Sequence, residues 1–124
     1  MYLESVDILA RRYELTLFYR SSEPGSSKHL HSLYEQESIL KEILRDYRGA
    51  CRSYNTIKRP VKPIETFEFM LSSTEMEIAK IVMDKYPLQA IERLERASIR
   101  MKRFGEGTMI ERIKGLEDMA YSRL

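Results

Sequence analysis

An apolar series with heptad spacing, between residues 30 and 54, constrains the fold of this 124-residue chain more than any other feature. Its members are separated by 3 or 4 residues, with Glu37 as the polar interruption, and this spacing keeps side chains on one side of a helix. We call it the heptad seam. It consists of Leu30, Leu33, Leu40, Leu44, Tyr47, Cys51 and Tyr54. The seam predicts a helix from about residue 28 to residue 54.

A shorter apolar series precedes the heptad seam and predicts a helix over residues 3–20. Its members are Leu3, Val6, Ala10, Tyr13 and Leu17. The polar segment 21–27, which contains Pro and Gly, separates the two series and favours a turn. We therefore expect residues 1–54 to form an antiparallel helical hairpin.

The two predicted helices differ in length. At 1.5 Å per residue they extend about 27 Å and about 40 Å, so the shorter one cannot cover the far end of the longer one. Tyr47, Cys51 and Tyr54 lie at that end. We expect these three residues to form an interface with the C-terminal half, with a second copy of the chain, or with another protein.

Two prolines interrupt the chain after the predicted hairpin. Pro60 and Pro63 each lack a backbone donor and push the preceding residue out of the helical region. We predict that residues 55–71 form a Pro-bounded linker that ends in an extended apolar strap carrying Phe67 and Phe69.

The C-terminal segment 72–124 contains signals for three helices. Ser72 and Glu75 match the capping-box pattern, in which a hydroxyl precedes a carboxylate by three residues, and predict a helix to about Lys85. Its expected apolar face holds Ile78, Ala79, Val82 and Tyr86.

The remaining two helices are separated by a glycine-containing turn at residues 104–107. Pro87 suits the first position of one helix, Gly105 suits its end, and Thr108 with Glu111 repeats the capping-box pattern for the other. The first is expected to bury Leu88, Ile91, Leu94, Ser98 and Met101, and the second Ile110, Ile113, Leu116 and Ala120. The predicted class is all-α, a long hairpin followed by a compact three-helix unit.

The composition agrees with a helical protein that has a charged surface. Charged residues make up 32% of the chain, whereas Gly and Pro number 5 and 4. A single cysteine is typical of a reducing compartment, and charges interrupt the N-terminal apolar residues. No apolar stretch of the sequence approaches the length of a membrane-spanning helix, which is about 20 residues. We therefore expect a cytoplasmic protein without membrane contact.

Two rows of basic residues are the main candidates for a binding site. The first comprises Arg93, Arg96, Arg100 and Arg103, flanked by Lys102, and the second comprises Lys41, Arg45, Arg48 and Arg52. Cations one helical turn apart can contact successive phosphates, which predicts nucleic-acid binding. The same pattern is typical of a solvated helix face, neutralised by pairs such as Glu92 with Arg96. Both interpretations stay open on the sequence.

Candidates for chemistry are few. His29, His31 and Glu35 lie close together, but no further soft ligand completes a metal site. Cys51 lies on the heptad seam, where a thiol packs as a small apolar group, and no phosphate-binding loop or hydrolase motif occurs. We predict a non-enzymatic protein without a metal or cofactor.

Three short segments resemble, in their order, the ArpU/RinA-type late-transcription regulators of bacteriophages. They are Leu44–Arg48, Ser72–Glu75 and Ala90–Ala97. The resemblance implies a helical N-terminal part, a sigma-factor-like helix-turn-helix and a DNA-linked role. The two helices predicted around the turn at 104–107 match the layout of a helix-turn-helix. The first is long for a scaffold helix and the second exposes mixed charges, so the pair also suits two core helices. The segment 108–124 would have to replace the family's DNA-reading helix, and no site residue is carried over.

Two functions follow as expectations. The first is a small regulatory or accessory protein that contacts nucleic acid through its Arg-rich helix face, as in a phage transcription regulator. The second is a helical protein-interaction or assembly subunit of a larger complex, including a phage complex, that uses the uncovered end of the heptad seam or forms a homo-oligomer.

Overall fold

A computed structural model describes residues 27–53, 64–105 and 107–124, with side chains from residue 29 to residue 45 and from residue 64 onward. These residues contain no strand and form four helices: α1 (Ser27–Ser53), α2 (Ile64–Val82), α3 (Pro87–Phe104) and α4 (Gly107–Tyr121). The all-α class is therefore confirmed. In the part of the chain that the structure describes, no helix is long and apolar enough to span a membrane.

The chain divides into two units, residues 1–68 and residues 69–124. In the first unit, α1 begins and ends within one residue of the predicted bounds. Leu33, Leu40 and Leu44 of the heptad seam are buried, as predicted, and so is the interrupting Glu37. The predicted helix over residues 3–20 lies outside the described residues.

The predicted extended strap is wrong, because α2 already begins at Ile64 and is continuous through Ser72. Phe67, Leu71 and Ile78 are all buried, and their separation by 4 and 7 residues is helical across the supposed boundary. Ser72 and Glu75 lie in the interior of α2. The backbone N–H groups around them are already bonded within the helix, so there are no free N-terminal donors for them to cap. Their side chains are used instead in contacts with α3.

The helices α3 and α4 begin and end close to the predicted residues and pack against each other. Pro87 occupies the first turn of α3. Gly105 ends the helix in the left-handed conformation, with φ 67°, and its backbone N–H donates to the carbonyl of Lys102 at 3.3 Å. This turn places Thr108 in the first turn of α4.

One predicted core residue of α3 is misplaced. Leu88 is 64% exposed, because the buried side of α3 runs through Ala90, Leu94 and Ala97 and turns Leu88 toward solvent. Tyr86, expected beside Val82, is also exposed.

Candidate protein-binding groove and basic helix face

A buried carboxylate on α2 holds two arginines of the predicted basic row. The side chain of Glu75 has no exposed surface. Its Oε2 accepts a hydrogen bond from Nε of Arg96 at 3.1 Å, and its Oε1 accepts another from Arg100. Arg100 also donates to the hydroxyl of Ser72 at 3.1 Å. A carboxylate taken out of water requires such donors, so the cluster stabilises the contact between α2 and α3.

The two arginines differ in how far solvent reaches them. The side chain of Arg100 is only 11% exposed, whereas that of Arg96 is 45% exposed. Arg100 therefore lies in the interior of the unit, and Arg96 lies at its surface. The anticipated pair between Glu92 and Arg96 is replaced by the contact of Arg96 with Glu75.

The other residues of the first basic row lie at different depths. Arg93 is half-buried, and Lys102 and Arg103 are exposed in the last turn of α3. The guanidinium of Arg103 lies 5.8 Å from the ring centre of Phe104. Cations in the last turn also stabilise the helix through its dipole. The outward basic surface of α3 is thus concentrated at its C-terminal end.

The second basic row is described only in part. Lys41 and Arg45 are exposed on α1, and the ammonium of Lys41 lies 3.9 Å from the carboxylate of Glu37. The backbone at Arg48, Arg52, Tyr47 and Cys51 is helical, but these side chains lie outside the described residues, as does the whole of Tyr54.

A groove lies between α2 and α4 within the second unit. It has a volume of about 530 Å³. The apolar side chains that line it belong to Met76 and Met109, which are buried, to Leu116, which is half-buried, and to Met119, which is 47% exposed. Gly115 forms part of the wall, and a Cβ added there would meet nothing within 4 Å. Methionine side chains are flexible and polarisable, and they line surfaces that adapt to apolar partners.

The charged residues at the rim of the groove differ in whether they have an ionic partner. The ammonium of Lys80 donates to the carboxylate of Glu77 at 3.2 Å along α2. Arg112 on α4 is exposed and makes no hydrogen bond or ion pair within the described residues. The rim therefore presents an uncompensated positive charge beside an apolar floor.

The contact between α3 and α4 contains carboxylates close to one another. The hydroxyl of Tyr121 donates to Glu95 at 3.1 Å, and this bond raises the pKa of Tyr121. Burial raises the pKa of Glu117, and the charges of Glu95 and Asp118 add to that rise while Lys102 opposes it. The ionised form of Glu117 is therefore disfavoured in the folded chain.

The described residues hold no group of three or more His, Cys, Asp or Glu side chains arranged to bind a metal ion. His29 is buried and His31 is exposed, so the two side chains of this pair have different surroundings on α1. The carboxylates around Glu117 do not converge on such a site either.

Sequence reasoning missed Glu75 and the groove, although both leave signals in the sequence. Glu75 stands between Leu71 and Ile78 on what is a continuous helical series of apolar residues. Such a position forces a carboxylate inward, where it needs a cationic partner. The groove methionines are visible as residues, but their convergence depends on how α2 and α4 pack.

No protein-family model, curated protein or solved structure matches this chain.

Proposed function

We propose that this chain is a non-enzymatic protein-interaction subunit, and that the groove between α2 and α4 binds an amphipathic helix of its partner. The observation that carries the proposal is the groove of about 530 Å³, in which the half-buried Leu116 and the exposed Met119 present apolar surface beside Arg112. Helix-in-groove recognition uses an apolar cleft in which side chains spaced by 3 and 4 residues are buried. Leu116 and Met119 supply the apolar contacts that such a helix needs, and the buried Met76 lies beneath them.

The charge at the rim indicates the chemistry of the partner helix. Arg112 has no ionic partner within the described residues, while the carboxylate of Glu77 is already engaged by Lys80. A carboxylate beside the apolar stripe of the incoming helix would pair with Arg112. Complementary charges raise the association rate and select among apolar partners. The preferred partner is therefore an acidic amphipathic helix.

The experiment uses two fluorescently labelled helical peptides that share leucines at positions i, i+4, i+7 and i+11. One carries glutamates beside the leucines and the other carries lysines. Fluorescence anisotropy with the full chain is expected to show tighter binding of the acidic peptide by about tenfold, which corresponds to about 1.4 kcal/mol. Equal affinity for both peptides, or binding of neither, would overturn the proposal.

Two glycine variants on α4 test whether the acidic peptide binds in the groove. Gly115→Glu places a long acidic side chain in the groove, and Gly107→Glu makes the same change outside it. An added Cβ has open space at both positions. The first variant is expected to lose acidic-peptide binding at least tenfold, about 1.4 kcal/mol, and the second to keep it. Loss in both, or in neither, would contradict binding in the groove.

A second candidate function is nucleic-acid contact in a regulatory or accessory protein, including a phage-type transcription regulator. It is supported by the exposed Lys102 and Arg103, together with the half-exposed Arg96. Lys41 and Arg45 add exposed cations on α1. Such a surface would bind phosphates with an affinity that falls steeply as salt rises.

The nucleic-acid candidate is tested by anisotropy with a generic duplex and a generic single strand over a salt series. Lys102→Glu combined with Arg103→Glu is the informative variant, since Arg96 and Arg100 are engaged by Glu75 and their replacement would also affect stability. Lys114→Glu, an exposed change on α4, is the control. Binding that only the double variant abolishes supports this function, and absence of binding at low salt refutes it.

The finer architecture belongs to the same proposal. We propose a helical hairpin over residues 1–54 and a three-helix unit in the C-terminal half, in a cytoplasmic protein. The end of α1 around Tyr47, Cys51 and Tyr54 is proposed as a further protein interface. Tyr47→Glu is expected to weaken association there, which light scattering on the full chain would detect as a lower mass.

A further inference from the structure

We infer that Met119 makes the groove sensitive to oxidation, and that conversion of its thioether to the sulfoxide by a peroxide releases the partner helix. This inference rests on the proposed function and adds a regulation to it. It is drawn from the unequal exposure of the methionines and from the place of Met119 on α4.

Solvent reaches Met119 more than any other methionine in the part of the chain that the structure describes. Its exposed fraction is 47%, whereas Met70 is half-buried. The others are at most 7% exposed, namely Met76, Met83, Met101 and Met109. A peroxide has to reach the sulfur from solvent, so oxidation follows exposure. We therefore expect Met119 to react before the methionines of the interior.

Met119 also provides much of the apolar surface that a partner helix can contact. Arg112, Leu116 and Met119 are spaced by 4 and 3 residues, so they lie on one side of α4. Met119 is exposed and Leu116 is half-buried, while Met76 is buried beneath them. A change in the chemistry of the Met119 side chain therefore changes the binding surface itself.

The backbone at Met119 is held by contacts that do not involve its sulfur. The carbonyl of Met119 accepts hydrogen bonds from the hydroxyl of Ser122 at 2.6 Å and from the guanidinium of Arg123 at 2.8 Å. Arg123 also donates to Asp84, which follows α2. These bonds remain available when the thioether is oxidised, so oxidation is expected to alter the groove surface and leave the last turn of α4 in place.

The reaction needs only the thioether and the peroxide. A lone pair of Sδ attacks one oxygen of hydrogen peroxide, so that an S–O bond forms while the O–O bond breaks. The proton on the transferred oxygen passes to the departing hydroxide, which leaves as water. The sulfur is oxidised by two electrons and the peroxide is reduced by the same two. A thioether has no proton to lose, so no neighbouring base is required.

The sulfoxide is a poor surface for an acidic amphipathic helix. Its oxygen is a hydrogen-bond acceptor, and the leucine and ionised glutamate side chains of the partner offer no donor to it. Burying an acceptor without a donor costs free energy. Oxidation of Met119 is therefore expected to weaken acidic-peptide binding by about tenfold.

The experiment treats the full chain with hydrogen peroxide for increasing times. Mass-spectrometric peptide mapping locates the oxidised residues, and fluorescence anisotropy measures binding of the acidic peptide. Met119 sulfoxide is expected to form first among the methionines of α2, α3 and α4, and the loss of affinity is expected to follow its formation. Treatment with the methionine sulfoxide reductases for both epimers is expected to restore the affinity.

Met119→Leu is the informative variant, because it keeps an apolar side chain and removes the sulfur. It is expected to bind the acidic peptide about as tightly as the wild type and to keep that affinity after peroxide treatment. The variant retains Cys51 and the other methionines, so it reports any effect of oxidation elsewhere. Met70→Leu, a change outside the groove lining, is the matched control and should stay sensitive to peroxide. Circular dichroism melting verifies that each variant is folded.

The outcomes separate this inference from the proposed function. A wild type that binds the acidic peptide and keeps its affinity once Met119 is oxidised would overturn the inference and leave the proposed function standing. Oxidation of Met76 or Met109 ahead of Met119, or an equal loss of affinity in Met119→Leu, would also overturn it. A wild type that does not bind the peptide before oxidation would remove the proposed function and the inference together.

Discussion

The carboxylate of Glu75 on α2, which has no exposed surface, accepts a hydrogen bond from Arg100, 25 residues away on α3. Arg96 donates to the other oxygen of the same carboxylate. The charges that resemble a nucleic-acid-binding row in the sequence are therefore divided between an internal contact and an outer surface. Glu75 determines which arginines are internal, because a buried carboxylate must be neutralised by cations within the fold.

The stability of the C-terminal unit should depend on Arg100 more than on Arg96. Arg100→Met removes a buried partner of Glu75 and is expected to cost about 3 kcal/mol of unfolding free energy. Arg96→Met removes a half-exposed partner and is expected to cost about 1 kcal/mol or less. Urea denaturation of both variants checks the ranking. Equal losses, or a larger loss for Arg96→Met, would mean that Glu75 does not depend on the buried partner.

The raised pKa of Glu117 gives the stability a defined pH dependence. Its ordinary value is 4.5, and the folded chain disfavours the ionised form. The associated stability is present below the unfolded pKa and is lost as the pH rises through the higher folded pKa. Glu117→Gln should therefore raise the melting temperature at pH 7, with a difference from the wild type that shrinks toward about pH 4.

Glu111→Gln is the control for this titration, since Glu111 is exposed on the same helix. Thermal melts at both pH values provide the comparison. A gain for Glu117→Gln that is the same at both pH values would show that the charge of Glu117 is not its cause.

Two glycines of the second unit should respond in opposite directions to alanine. Gly105 has φ 67°, so Gly105→Ala forces a side chain into the left-handed region and is expected to cost about 1–2 kcal/mol. Gly115 lies within α4, so Gly115→Ala is expected to gain up to about 1 kcal/mol from helix propensity. Neither added Cβ meets an atom within 4 Å, so backbone conformation alone separates the two variants. If chemical denaturation gives both changes the same sign, backbone conformation does not control the effect of alanine at these two positions.

Sequence signals that act within a single helix predict the helices of this chain well. The spacing of Leu33, Leu40 and Leu44 indicated α1, and Pro87 with Gly105 marked the two ends of α3. These residues act through helix period, a fixed φ and a left-handed cap, which need no knowledge of the rest of the fold.

Signals that depend on tertiary contacts were misread. Ser72 and Glu75 have the spacing of a capping box, yet their side chains contact Arg100 from the interior of α2. A sequence pattern does not distinguish an oxygen that caps its own helix from one that binds a neighbouring helix. The groove also could not be predicted from the sequence, because Met76 and Met119 come together only when α2 packs against α4.

Binding of a partner helix in the groove is tested most directly by an amide chemical-shift map of the ¹⁵N-labelled full chain titrated with the acidic amphipathic peptide. If the peptide binds in the groove, the largest changes fall on the groove-lining segments, residues 73–80 of α2 and 109–119 of α4. The Gly115→Glu variant should lose these changes. Changes concentrated on residues 100–104 at the end of α3, or no changes at saturating peptide, would contradict binding in the groove.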